Sequence, residues 1–228
     1  DRARSLSRKM INFIDESSRT YHVVKNCSDI LDQNGFERLN LKDEWEIKRT
    51  GKYYIERANS TIVAFTIGNN FNNVEGEKIG FRIFGAHTDS PGFRVKHNPE
   101  MITENLLKIN TEVYGSPILN TWFDRPLSIA GRLIVKSDKI FSPKTINIKI
   151  DEPILTIPNL AIHQNKDINR GIELDKQNDT LPIFKTVDSI FERENYLLKI
   201  LAKKTGLNMD NILDFDLFLY ATEKGDLV

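Results

Sequence analysis

Apolar residues recur at three- and four-residue spacing through residues 5–34, which predicts helix there. In the second half of that stretch Val23, Val24, Cys27, Ile30 and Leu31 fall on one face. Thr20 stands where an N-cap is expected, and Gly35 is the expected stop. Two β-prone runs follow, residues 53–57 and 61–67, with Asn59-Ser60 between them as a predicted hairpin turn. Residues 69–73 are polar and turn-rich. Phe81-Arg82-Ile83-Phe84-Gly85-Ala86 then reads as a short strand that ends at His87.

After Lys96 the pattern changes. Residues 106–114, 127–136 and 145–150 are β-rich, and Ile146, Ile148 and Ile150 alternate with polar neighbours in the period of a half-buried strand. Pro117, Pro126, Pro143, Pro153 and Pro158 interrupt this region, which predicts a small sheet or barrel of short strands rather than a βαβ array. Residues 186–205 predict a charged amphipathic helix with Ile190, Tyr196, Leu197, Ile200 and Leu201 as its stripe and Gly206 as its stop. Residues 212–220 predict a strand in which Leu213, Phe215, Leu217 and Leu219 share a face. The whole is an α/β chain with a β-rich middle, the pattern of one domain interrupted by another.

Its 228 residues suffice for one large domain or two small ones. Lys+Arg and Asp+Glu both number 32, so no global field steers the chain to nucleic acid or an anionic membrane, and neither is an expected partner. Cys27 is the single cysteine, which excludes an intrachain disulfide and fits a reducing compartment. No run approaches the roughly 18 apolar residues of a membrane span, and residues 1–5 lead into no signal-peptide core, so the expected location is cytoplasmic. The chain begins at Asp1 rather than Met and stops soon after a strand-like run, which reads as part of a longer protein.

The candidate chemistry centres on His87 and Asp89, which directly follow the strand-like run. Two residues apart in extended chain they face the same way, so one imidazole nitrogen can bind a metal while the carboxylate holds the other. A loop in which Asp89 bonds backbone amides ahead of Ser90-Pro91 explains the same triplet. His163 ends the apolar run Ile157-Pro158-Asn159-Leu160-Ala161-Ile162, which predicts a buried or interfacial imidazole, either structural or functional. His22, beside Lys25 and Asp29, reads as a surface residue, and His97, beside Asn98-Pro99, as part of an exposed turn. In Thr121-Trp122-Phe123-Asp124-Arg125-Pro126 an Asp124–Arg125 salt bridge would brace a turn over two core aromatics, or the aromatics would wall an interface or pocket. No phosphate loop, Gly-x-Ser-x-Gly elbow, Cys-x-x-Cys pair or His-Glu-x-x-His helix is present.

Four peptides, taken in order, resemble the aspartyl aminopeptidase family of zinc aminopeptidases. They are Gly85-Ala86-His87-Thr88-Asp89-Ser90-Pro91 with Phe93-Arg94-Val95-Lys96; Trp122-Phe123-Asp124-Arg125 with Leu127-Ser128-Ile129-Ala130-Gly131-Arg132; Ile157-Pro158-Asn159-Leu160-Ala161-Ile162-His163; and Asp214-Phe215-Asp216-Leu217-Phe218-Leu219-Tyr220. The resemblance implies a zinc-exopeptidase α/β/α catalytic domain, incomplete here, interrupted by a β-rich dimerisation domain. On that basis residues 1–96 are the first part of the catalytic domain, 97–222 the inserted domain and 223–228 the start of the return. It implies hydrolysis of N-terminal residues, including Asp or Glu, from peptide substrates at a two-zinc site where Mn or Co can substitute. His87 would be a zinc ligand and Asp89 would orient it or the metal-bound groups. His163 would act in a neighbouring subunit's site, or else bind metal. Self-association into dimers that build a dodecamer is also implied. The remaining carboxylate ligands, the Glu general base and the last histidine are expected beyond Val228, so residues 1–228 alone are expected to be inactive. Two alternatives stand beside this: a non-catalytic assembly homologue that keeps the dimerisation surface, and a different metallohydrolase using His87 and Asp89.

Overall fold

The computed structural model describes residues 2–69, 80–139, 141–187 and 194–228. Asn70 to Asn73 of the predicted loop, and Ile190 with the rest of 188–193, lie outside the described residues. The chain divides into two compact units, Asp1–Ser90 with Asp226–Val228, and Pro91–Gly225. The division falls six residues before the change of texture at Lys96, because residues 92–96 already run in a strand of the second unit.

In the first unit the helical stretch is two helices, α1 (Arg2–Glu16) and α2 (Thr20–Gln33). Arg19, not Thr20, is the N-cap of α2, and its side chain makes no capping bond. Gly35 does end the helix: at φ +74° it lets its own N–H reach Asp32 O (3.1 Å) and lets the Phe36 N–H reach Leu31 O (3.0 Å). That is a Schellman closure, which a left-handed glycine permits without a Cβ clash. The buried face of α2 is Tyr21, Val24 and Ser28 rather than the predicted stripe, and Ile30 is exposed. Polar tethers turn the helix this way: the Ser28 hydroxyl bonds Val24 O (2.9 Å) and Glu56, and Tyr54 OH donates to Asp32 (2.8 Å).

A three-stranded sheet in the order β1 (Glu37–Arg38), β2 (Lys52–Arg57), β3 (Thr61–Thr66) completes this unit. β1 and β2 are parallel, while β2 and β3 form the expected hairpin. Its turn is carried by Ala58 and Asn59, both at positive φ, with Ser60 N–H bonding Arg57 O. That is the primed turn that matches strand twist. Residues 81–86 form no strand here, and Phe81, Ile83 and Phe84 are 79%, 86% and 94% exposed. Strand propensity alone does not make a strand; a neighbouring strand must accept the ladder.

The second unit is a six-stranded sheet in the order β7-β6-β9-β4-β5-β8, antiparallel at every pairing. Its strands are β4 (Gly92–Thr103), β5 (Leu106–Tyr114), β6 (Leu127–Val135), β7 (Lys144–Lys149), β8 (Ile183–Thr186) and β9 (Ile212–Ala221). One face carries the core, in which Phe93, Ile109, Leu127, Ile129, Leu133, Leu217 and Leu219 are fully buried. α3 (Tyr196–Thr205) brings Leu197 and Leu201 to the same core. Each such side chain contributes about 1.5–3 kcal/mol by leaving water. α3 starts ten residues later than the spacing predicts, since Thr186 belongs to β8. Its first turn is satisfied from a distance, by Glu100 of β4 accepting the Leu197 N–H at 2.9 Å. Gly206, at φ +70°, ends it as expected.

Candidate metal ligands and the His163 loop

His87 and Asp89 lie on the segment that leads out of the first unit, and the structure brings them together. His87 Nδ1 stands 3.2 Å from Asp89 Oδ1. The imidazole is 91% exposed, so Nε2 faces outward, free to take a metal, while the carboxylate fixes the ring. The segment is pinned along its backbone. Thr20 Oγ1 donates to Thr88 O (3.2 Å), Arg19 Nη1 to Ser90 O (3.1 Å), and Thr88 Oγ1 to Ser60 O (2.8 Å). The start of α2 and the β2–β3 turn therefore hold His87 in place. Nothing in the sequence pattern marks these supports, because the bonds span 28 to 71 residues.

His163 belongs to the second unit. It is exposed rather than buried, and Leu160 (61%) and Ile162 (46%) of the same loop are exposed with it. The buried alternative for His163 is thus corrected. The apolar run before it divides, with Ile157 entering the core and Leu160 and Ile162 staying outside.

The base of this loop is latched by Asp124. Its carboxylate accepts the Asn159 N–H at 3.0 Å and the Asn159 side-chain amide at 2.9 Å, while its own N–H donates to Ile157 O at 2.9 Å. Arg125 does not pair with Asp124; its Nε sits 3.3 Å from Glu223. Trp122 packs edge-on against Phe93, with ring centroids 5.1 Å apart, which places it against the core as expected.

The Asn159 backbone N–H, and then its side-chain amide, hold the Asp124 carboxyl below the usual carboxylate range. A carboxylate whose folded pKa is depressed contributes stability above the unfolded value, about 3.9, and loses it as pH falls through the folded pKa. Asp124 is exposed, so solvent screening limits its contribution. Asp124→Asn keeps a residue tolerant of the positive φ of 54° at this position. We expect it to cost about 1 kcal/mol or less of loop protection at pH 7. In amide exchange at Asn159 and Leu160, the gap between wild type and variant should close as pH drops below the carboxylate range. A gap independent of pH would overturn the latch.

Among the described residues no group of three or more His, Cys, Asp or Glu side chains could hold a metal ion. His87 with Asp89 fits one corner of a zinc site, not a complete one.

Residues 13–228 match the family model described as Aminopeptidase I zinc metalloprotease (M18). The chain belongs to the M18 aminopeptidase family. It is 50% identical over 220 residues to a probable M18 family aminopeptidase 2 of Clostridium acetobutylicum, covering 96% of this chain and 50% of that protein. Its fold is that of a solved chain described as the cryo-EM structure of the Ape4 and Nbr1 complex. There the TM-score is 0.90 at 31% identity, over 99% of this chain and 46% of that one. It also matches the mApe1 dodecamer of S. cerevesiae, with a TM-score of 0.74 at 25% identity, over 98% of this chain and 50% of that one. The chain therefore spans about half the length of the curated M18 relatives it matches. The expected α/β class stands, and the curated M18 relatives, named as aminopeptidases, do not favour a non-catalytic assembly homologue. No helix among the described residues is long and apolar enough to cross a membrane.

Proposed function

We propose that this chain forms part of a zinc-dependent aminopeptidase that hydrolyses N-terminal residues from peptides. The observation that carries the reading is the His87–Asp89 pair at 3.2 Å on a braced segment, within an M18 sequence. In this reading His87 Nε2 is a zinc ligand, and Asp89 holds Nδ1 and so fixes the ring's tautomer and direction. Zinc, when bound, supplies Lewis-acid chemistry and an activated water. A second zinc, and substitution by Mn or Co, belong to the same reading. The other ligands and the general base are assigned to the part of the relatives' length that residues 1–228 do not span.

The first unit is the leading part of the catalytic domain and the β-rich unit is the dimerisation domain. The exposed Phe81, Ile83 and Phe84, and the stripe Leu6, Met10 and Ile14 on α1, support a catalytic domain with more chain packed on it. Such apolar surface is rarely left to water in a finished domain. The exposed His163, with Leu160 and Ile162 beside it, supports an imidazole presented to a second copy. There its ring N–H would donate to the oxyanion that develops on a scissile carbonyl. Assembly into dimers and a dodecamer, a preference for Asp or Glu, and a cytoplasmic location complete the proposal.

The test uses the full-length protein with zinc, manganese or cobalt on Asp-, Glu-, Leu- and Lys-nitroanilides. We expect release from at least one substrate, loss on chelation and recovery with zinc. No release from any of the four would sink the aminopeptidase reading.

A further inference from the structure

Opposite Asn110, β4 bulges. Val95 pairs with Thr111 and Glu100 with Ile109, so four β4 residues stand against one on β5. Bulges of this kind re-aim side chains and end pairing. β4 and β9 are in register only at Arg94 and Phe218, and a cleft of about 330 Å³ lies beside that point. Lys96, His97, Asn98, Asn110, Glu112 and Phe215 are among its lining residues. A chain of amides braces the bulge. Lys96 Nζ donates to Gln177 Oε1 (2.7 Å), Gln177 Nε2 to Asn110 Oδ1 (3.3 Å), and Asn110 Nδ2 to Asn98 O (3.4 Å).

The charges in this cleft are not all matched. Arg94 Nε is taken by Asp216 at 2.9 Å. His97 Nδ1 lies 3.3 Å from Asp214, and its ring lies 6.0 Å from that of Phe215. Two groups are matched only weakly. Among the described residues the Lys96 ammonium meets only the neutral Gln177 amide. Among the described residues Glu112 reaches only Arg94 Nη1, at 3.8 Å, and its side chain is 52% exposed. Glu112 is opposite Arg94 in the ladder, and Lys96 is two residues further along β4. The bulge begins at Lys96, yet both residues line the same cleft, so a ligand carrying both charges can engage one with each end.

We propose that this cleft binds a small zwitterion of the free α-amino-acid class. The ligand's carboxylate rests on Lys96 and its ammonium on Glu112. Its side chain lies on Phe215, the apolar part of the lining beside His97. A bare anion would satisfy Lys96 but leave Glu112 facing a like charge, and a bare amine would do the reverse. The site involves neither His87 nor His163, so it stands or falls independently of the aminopeptidase reading.

The experiment is isothermal titration of the protein with L-glutamate and L-leucine, against inorganic phosphate and n-butylamine as single-charge controls. We expect saturable one-site binding of the amino acids and none of the controls. Lys96→Gln and Glu112→Gln are each expected to raise Kd at least tenfold while the circular dichroism melt stays unchanged. Three results would overturn the proposal: no heat from either amino acid, phosphate binding as tightly as the amino acids, or amino-acid binding that both variants leave unaltered. Should either variant fail to fold, Asn110→Asp in the same lining serves in its place. The added charge beside Glu112 should weaken glutamate more than leucine, and equal affinities would count against the site.

Discussion

His163→Phe in the full-length protein is expected to lower kcat by about 100- to 1,000-fold, the range for removing one oxyanion donor. The side chain is exposed in its own chain, so the change leaves no cavity and strands no buried partner. Phenylalanine keeps the ring's bulk and removes both nitrogens, so the assembly should form as before. If His163 acts only on the transition state, kcat and kcat/KM fall together; if it merely helps hold substrate, KM rises alone. A mixing experiment separates action in trans from action within one subunit. His87→Ala and His163→Phe proteins are each expected to be strongly impaired. Co-assembled, they should regain activity, because some sites then combine an intact His87 with an intact His163 from a neighbour. Unchanged turnover in His163→Phe would sink the role, and failure of the mixture to recover would place the action within one subunit.

Gly131→Ala is expected to destabilise the β-rich unit by about 3 kcal/mol or more, placing it among the severe single substitutions. Gly131 sits mid-way along β6, paired with Leu217 of β9. A Cβ built there would stand 2.1 Å from Asp216 O and 2.9 Å from Leu217 Cα. Those are backbone atoms of a central strand, with no rotamer to escape into. The strands must separate, and β9 carries Leu217 and Leu219 of the core. Urea unfolding followed by tryptophan fluorescence would report the loss, since Trp122 packs on this core. A midpoint within experimental error of wild type would refute the close approach. Gly131→Val should be worse, because its added methyls meet the same fixed backbone.

The glycine in that signature peptide illustrates what could be read in advance. The β-rich runs 106–114, 127–136 and 145–150 located β5, β6 and β7 to within a residue or so, because short runs of β-branched residues bounded by turn residues suit a pleated strand. Gly35 and Gly206 were legible as stops because a left-handed residue after a helix favours glycine. The reason for Gly131 was not legible, since its neighbour Asp216 lies 85 positions away along the chain. The start of α3 was misplaced for the same kind of reason, its satisfying group being Glu100.

The candidate site divides in the same way. His87 and Asp89 are two residues apart, so their contact follows from local geometry and was written in the sequence. Sequence also determined the family, through four ordered peptides, and the α/β class. Only the tertiary structure decided what holds that contact in place: Arg19, Thr20 and Ser60, brought to residues 88–90 by folding. It alone decided that residues 81–86 stay unpaired, that Asp124 latches Asn159 rather than Arg125, and that His163 faces outward. Local pattern reports which side chains prefer water and which backbone angles are accessible. Hydrogen bonds across 28 to 71 residues depend on how whole elements dock, and no window of sequence contains that information.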